Sequence, residues 1–305
     1  MMRTLLSILF VAAFAVVAVD AQGAILAKDS YIVGQGDYTA GGLSGQTSAS
    51  AVGFQNTWSV SSANLQVEAG GILDGDADPT PPSNGQGKFI SAPGQFSGFF
   101  RSARRDLQPQ TDPTNNTFYM SHLVNAGGST GPNQNYAFVG FGDFVVQDTI
   151  EGNANFLGGA FVGYVGNGTG GVDLVIRSRT GAAAGSIGDE LLVADAENTT
   201  FNVVMALEYN NPSDEIRYWV DPTDFGSGEA GLDATAVVSG TIPGFQLGAA
   251  SSMNDLTIVT NGFDRSFFWD ESILADSVAD LNPIPEPSAL LLALGAVGFV
   301  GRRRR

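Results

Sequence analysis

From residue 118 to residue 274 the chain breaks into short runs of β-branched and aromatic residues, each closed by Gly, Asn or Asp. Such runs are strand signals. They fall at 118–125, 136–144, 156–165, 172–177, 191–193, 201–209, 215–220, 234–239, 256–260 and 267–274. The turn sequence GNGTGG at 166–171 predicts a hairpin over 156–177. Within 215–220 a period of two puts Ile216, Tyr218 and Val220 on one face and Arg217 and Trp219 on the other. Upstream the signals weaken to short candidates at 59–67, 89–90 and 96–101. Between them, DGDADPTPPSNGQGK at 74–88 reads as a surface loop. The Gly- and Ser-rich stretch from 29 to 58 reads as loop held to a core by Tyr31, Tyr38, Phe54 and Trp58. No long amphipathic helix is predicted between the chain ends, and 274–281 suits one short helical turn. A series of short strands without a fixed-period repeat predicts an all-β fold, a single β-sandwich or jelly roll, and argues against a propeller or solenoid.

Composition agrees. Glycine takes 40 of 305 positions and lysine occurs twice, which favours tight turns and short strands over helices. Cysteine is absent, so disulfides, thiol catalysis and cysteine metal sites are excluded and the core must supply stability unaided. The chain carries 14 basic and 31 acidic residues, a net charge of −17. Setting aside residues 1–21 and 283–305 leaves 9 basic and 29 acidic residues. That surface repels nucleic acid and anionic membranes, and it favours solubility.

Both ends carry address-like segments. Arg3, an apolar run over 5–19 and small residues after it make a secretory signal peptide, 1–21. The preferred cut follows Ala21, with Ala18 and Ala24 as alternatives. At the other end, 283–305 reads PIPEPSALLLALGAVGFVGRRRR. The rigid Pro285-Glu286-Pro287 precedes an apolar run over 289–300, which is shorter than the about 20 residues of a comfortable bilayer span. Arg302, Arg303, Arg304 and Arg305 then form a membrane stop that favours the cytoplasmic side. This three-part order resembles the PEP-CTERM sorting signal of bacterial exported proteins; the alternative is an ordinary C-terminal anchor. The resemblance implies recognition and cleavage by a membrane exosortase, with passage through the inner membrane to the cell surface or extracellular matrix. The expected organisation is a signal helix, a sandwich domain over 22–282 and a short C-terminal transmembrane helix within 283–305.

A second resemblance is spread over the middle of the chain. Asp29-Ser30-Tyr31, Tyr38-Thr39-Ala40-Gly41-Gly42-Leu43, Gly45-Gln46, Gly53-Phe54 and Trp58 form one part, and 118–124 forms another. Further on come 215–222, with Asp221 where the pattern has Asn, and Phe268-Trp269-Asp270-Glu271-Ser272-Ile273, with an inserted Trp269 and no Arg. Together these segments resemble the concanavalin A-like (LamG-like) jelly-roll domains. That group includes lectins, glucanases and domains without a known ligand, so the resemblance implies a fold and not an activity.

The candidate chemistry is sparse. Asp74, Asp76 and Asp78 have the D-x-D-x-D spacing of a Ca²⁺ loop, but Pro79 and Gly85 stand where an EF-hand needs Gly and Glu. A solvated acidic loop is the competing reading. Asp270 and Glu271 on one strand point to opposite faces, unlike the carboxyl pair about 5 Å apart of a retaining glycosidase. No E-x-D-x-x-E run of the glucanase branch occurs. His122, the only histidine, sits beside Ser121 on a strand and reads as a packing or surface residue. Arg101, Arg104 and Arg105 suit internal pairing better than an acidic polysaccharide. Trp58, Tyr136, Tyr164, Trp219 and Trp269 are the rings available for sugar stacking, most of them expected in the core. The N-x-T sequences at Asn115, Asn167 and Asn198 read as turn and strand residues. The sequence therefore predicts a non-enzymatic, exported structural or adhesive sandwich with no catalytic residues. A calcium-dependent, lectin-like carbohydrate-binding module is the alternative and a glycoside hydrolase comes third. Expected partners are the exosortase, extracellular polysaccharide, and the membrane before processing, with no nucleic acid.

Overall fold

Two antiparallel sheets face each other in the computed structural model, which describes residues 24–31, 37–61, 65–69, 85–89, 100–108, 117–127, 134–144, 156–179, 187–209, 214–247, 253–263 and 266–281. The strands are β1 (Ile25–Asp29), β2 (Gly41–Gly42), β3 (Ser59–Val60), β4 (Leu65–Ala69), β5 (Gly85–Phe89), β6 (Phe100–Asp106), β7 (Thr117–Gly127) and β8 (Gln134–Phe144). They continue with β9 (Phe156–Gly166), β10 (Val172–Arg179), β11 (Ile187–Val193), β12 (Thr200–Glu208), β13 (Glu215–Val220), β14 (Val238–Pro243), β15 (Asp255–Phe263) and β16 (Ser266–Ala275). The nine-stranded sheet runs β14-β13-β12-β7-β16-β5-β4-β2, with β1 also paired to β16, and the seven-stranded sheet runs β11-β10-β9-β8-β15-β6-β3. The predicted all-β sandwich is thus the observed architecture, and GNGTGG joins the paired strands β9 and β10 as expected. Residues 1–23 and 282–305, including Pro285, Glu286, Pro287 and Arg302 to Arg305, lie outside the described residues. No helix among those described is long and apolar enough to cross a membrane.

Period-two alternation builds the core. On β7, Phe118, Met120, Val124 and Ala126 face the gap between the sheets, and on β8 Ala137, Val139 and Phe141 meet them. The inward row Ile216, Tyr218 and Val220 on β13 matches the pattern read from sequence, and Trp219 on the same strand joins a separate outer cluster. Trp58, Trp219, Trp269, Tyr31, Tyr38 and Tyr164 are among the largest fully buried side chains. A buried ring or large aliphatic of this kind contributes about 1.5–3 kcal/mol of transfer free energy.

Four elements depart from the sequence reading. Strand β1 lies just ahead of the segment read as loop. The segment 74–88 ends inside a strand, since β5 takes Gly85–Phe89. The strand candidate at 96–101 is observed as β6 (Phe100–Asp106), which runs on through Arg104 and Arg105. The region read as a strand over 234–239 is instead the end of a helix, α1 (Glu229–Thr235), followed by β14. With seven residues and no capping side chain, α1 has little intrinsic support. Tertiary contacts hold it: Leu232 packs with Val204, Trp219 and Ile273, and Glu229 accepts from the Tyr119 hydroxyl at 2.6 Å. The Trp219 indole donates to Asp233 at 2.6 Å, and Arg217 bridges Glu208 and Glu229. The predicted short turn at 274–281 is a 3-10 helix over Val278–Leu281.

Close strand approach depends on bare backbone. A Cβ at Gly163 would stand 2.0 Å from the Ala137 carbonyl oxygen and 2.7 Å from Phe138 Cα, both rigid backbone. Gly163→Ala therefore lowers the unfolding free energy by about 1–3 kcal/mol in urea titration. Gly42→Ala, where nothing lies within 4 Å, changes it by no more than about 0.5 kcal/mol. Equal effects at the two positions would contradict this packing.

Candidate functional site

The chemically richest part of the molecule is a polar cluster between the two sheets. Asp29 ends β1, on the nine-stranded sheet, and Arg105 lies on β6 of the seven-stranded sheet. The Arg105 guanidinium donates through Nη1 to Asp29 Oδ2 at 2.8 Å and to the Tyr38 hydroxyl at 3.0 Å. Its Nε donates to the Asn56 carbonyl at 3.0 Å, its Nη2 to Thr47 Oγ1 at 2.9 Å, and its flat face covers the Phe54 ring. Asp29 also accepts from the Tyr38 hydroxyl, and its Oδ1 accepts the Tyr31 amide at 3.0 Å. That local turn holds Tyr31 at a positive φ of 47°. The Trp58 indole closes the set by donating to the Tyr38 hydroxyl at 2.8 Å. Burial pushes the Asp29 carboxyl up to about 6, against the opposing pull of Tyr38, Arg105 and the Tyr31 amide.

A bulge places the second half of the cluster. The β16–β7 register slips between Asp270 and Ile273, so Glu271 and Ser272 together oppose His122. Glu271 takes a φ of 44°, and its amide donates to Asp270 Oδ1 at 2.9 Å. Asp270 and Glu271 consequently do not divide between a solvent face and a core face as plain alternation predicts; both are buried. Glu271 accepts from Ser30 Oγ at 2.9 Å and pairs with Lys28 at 3.4 Å. The bulge turns Ser272 inward, with its Oγ 3.0 Å from His122 Nδ1 and 3.4 Å from the Tyr31 hydroxyl. Ser121, the chain neighbour of His122, instead donates to Asn202 at 2.9 Å.

A serine and a histidine from separate strands are thus in hydrogen-bond contact, a pairing that adjacency in sequence does not reveal. As a hydrolytic pair it lacks what the chemistry requires. His122 has no exposed surface and stacks on Phe141, and its Nε2 has no hydrogen-bond partner among the described residues. Burial lowers its pKa to about 3, so the ring is neutral at ordinary pH. A solvent-borne substrate does not reach it, and among the described residues no acid orients its far nitrogen.

Of the three arginines singled out in sequence, Arg104 and Arg105 pair internally, Arg104 with Asp106 at 3.3 Å and Asp255 at 3.6 Å. Among the five candidate stacking rings, Trp58, Tyr164, Trp219 and Trp269 are core. Tyr136 alone is half-buried and lies on the outer face of the seven-stranded sheet. There the Arg177 guanidinium covers both Tyr136 and Phe138, 4.4 and 4.3 Å from the ring centres, and holds Asp189 through two bonds of 2.6 and 2.7 Å. Gly163, between Phe138 and Val175 in the register, carries no side chain on this face. Leu191, on the edge strand β11, is 53% exposed and stands opposite Val175 in the register. Among the described residues no three His, Asp or Glu side chains are grouped to hold a metal ion, and Asp74, Asp76 and Asp78 lie outside those residues.

No protein-family profile matches the chain, and no curated protein matches it. Among solved structures it is similar to a botulinum neurotoxin type G receptor binding domain, at 13% identity and a TM-score of 0.45. That likeness covers 84% of this chain and 50% of the toxin chain, so this chain spans half the length of that relative. It is also similar to an endo-β-1,4-glucuronan lyase from the fungus Trichoderma reesei, at 12% identity, with 76% and 96% of the two chains covered and a TM-score of 0.41. A third similar structure is the potassium-bound carbohydrate recognition domain of Emp46p, at 8% identity, with 69% and 88% covered and a TM-score of 0.42.

The cluster gives folding a defined pH signature. The folded His122 titrates near 3 and the unfolded one at 6.5, so between these values only the unfolded chain holds the proton. Stability falls as pH falls through that window, by about 1.4 kcal/mol per unit. Asp29, near 6 folded and 3.8 unfolded, acts oppositely: its contribution falls as pH rises from 3.8 to 6. A His122→Phe variant removes the first slope alone. Relative to the variant, wild type loses about 1.4 kcal/mol per unit as pH drops from 6.5 towards 3, measured by denaturant unfolding. A difference that does not vary with pH would show that His122 is not held neutral.

Proposed function

We propose that this chain is an exported bacterial surface or extracellular-matrix protein, delivered by residues 1–21 and sorted through residues 283–305, whose sandwich is structural or adhesive and not enzymatic. The sequence of Pro285-Glu286-Pro287, an apolar run and Arg302 to Arg305, one after another, supports the address. For the role of the cargo, one observation carries the reading: Asp29 pairs with Arg105 across the two sheets, and His122 pairs with Ser272 between neighbouring strands of one sheet, all four in the interior. Its polar side chains of catalytic type thus serve cohesion in a chain without disulfides. Expressed from its full gene in a bacterium that has an exosortase, the protein is recovered from the surface or matrix fraction without its arginine tail. Replacing Pro285, Glu286 and Pro287 by alanine leaves it in the inner membrane with the tail attached. Wild type found in the cytoplasm with both ends intact would contradict the reading.

A second reading, carbohydrate binding, is favoured by the half-buried Tyr136 under Arg177, on the sheet whose edge strand carries the exposed Leu191. The planar guanidinium, stacked on the ring and fixed by Asp189, offers a sugar a flat polar surface on this face. In this reading Tyr136→Ala and Arg177→Ala each weaken glycan binding about tenfold on an array, a loss of about 1.4 kcal/mol. Loss on EDTA treatment points to calcium, with Asp74, Asp76 and Asp78 as its carboxylates. No binding to any glycan, with or without calcium, leaves the structural role alone.

A further inference from the structure

The first described residue is not a loose end. The Ala24 amide nitrogen stands 2.6 Å from Asp276 Oδ1, and the Asp276 amide donates back to the Ala24 carbonyl at 3.2 Å. Strand β1 begins at the next residue and runs antiparallel to the end of β16, with Ile25 opposite Ala275. Just before this contact the sequence reads Ala21-Gln22-Gly23, with small residues three places and one place ahead of Ala24. That is the residue pattern a signal-peptide-removing endopeptidase accepts. Resting on the export reading above, we infer that the signal is removed between Gly23 and Ala24, and that the new α-ammonium of Ala24 forms an ion pair with Asp276.

The chemistry is hydrolysis by one water molecule. The Gly23 carbonyl carbon gains the hydroxyl, the bond to the Ala24 nitrogen breaks, and that nitrogen takes the proton; the products ionise to a carboxylate and an ammonium. The competing cuts use the contact less well. A cut after Ala21 leaves Gln22 and Gly23 ahead of the strand and a neutral amide against Asp276. A cut after Ala24 removes the residue that makes both bonds. Only a cut before Ala24 turns the existing donor into a cation facing the carboxylate. Because β1 and β16 are antiparallel, the processed N-terminus then lies beside Asp276, five residues ahead of Leu281, so both ends of the sandwich leave it at one corner.

The test is N-terminal sequencing of the protein recovered after export of the full precursor. A first residue of Ala24 is the expected result. Gln22, Ile25 or any other exported start overturns the inference and leaves the export reading standing, whereas a chain that keeps Met1 overturns both. Asp276→Asn in the same precursor tests the ion pair. It lowers the thermal midpoint by about 1–3 °C at low salt, and the shift disappears in about 1 M salt. A shift independent of salt, or none at low salt, overturns the pairing.

Discussion

The ion pair between Asp29 and Arg105 is the constraint on which the rest of this sandwich depends. Taking two charges out of water costs several kcal/mol per ion, and the attraction between them offsets that only if every remaining polar atom is satisfied. Here the surroundings supply those partners, yet burial still outweighs them and leaves the Asp29 carboxyl raised to about 6. Tyr38, Thr47 and the Asn56 carbonyl complete the guanidinium, and the Tyr31 amide and Tyr38 hydroxyl complete the carboxylate. All of these partners come from the stretch 29–58, which is poor in regular structure. The pair therefore does two things at once: it ties β1 across to the opposite sheet, and it gives an irregular segment a fixed path. Gly53 assists, because a side chain there would collide with the Leu26 carbonyl oxygen, and Val52 can then pair with Lys28.

The bulge in β16 is the complementary device. A regular strand would have put Ser272 on the outer face, away from His122. By absorbing one extra residue, β16 brings Ser272 to both His122 and Tyr31, and sends Glu271 towards Ser30 and Lys28. Strand β1 is thereby held by charge through Lys28 and Asp29 and by stacking through Tyr31, which contacts Tyr38, Trp58 and Trp269. Between pH 3.8 and 6 the opposite titrations of His122 and Asp29 offset one another, so the cluster as a whole is less sensitive to acid there than either group alone.

Much of this fold is legible in the sequence because strands 118–274 obey a simple rule: side chains alternate and turns take Gly, Asn or Asp. The inward row of Ile216, Tyr218 and Val220 needed nothing more than that rule. Where the rule fails, the cause is tertiary. The helix α1 lacks a cap and exists because Leu232, Glu229 and Asp233 find partners on the outer face of a sheet. Asp270 and Glu271 break alternation because a bulge intervenes, and a bulge with no glycine leaves no clear mark in a sequence. The contact between His122 and Ser272 spans 150 residues, so no local pattern could have announced it. The arginines were legible in kind, as internal partners, but not in place.

If this cluster is what integrates β1, the N-terminal strand opens only when the whole sandwich unfolds, although among the described residues its outer edge meets only the short bridge at Val52. Native-state hydrogen exchange measures this directly. The amides of Ala27 and Ile273 are expected to exchange with the same opening free energy as that of Val204 in the centre of β12. Exchange at Ala27 by a much cheaper local opening, with β12 still protected, would contradict the central role of the cluster.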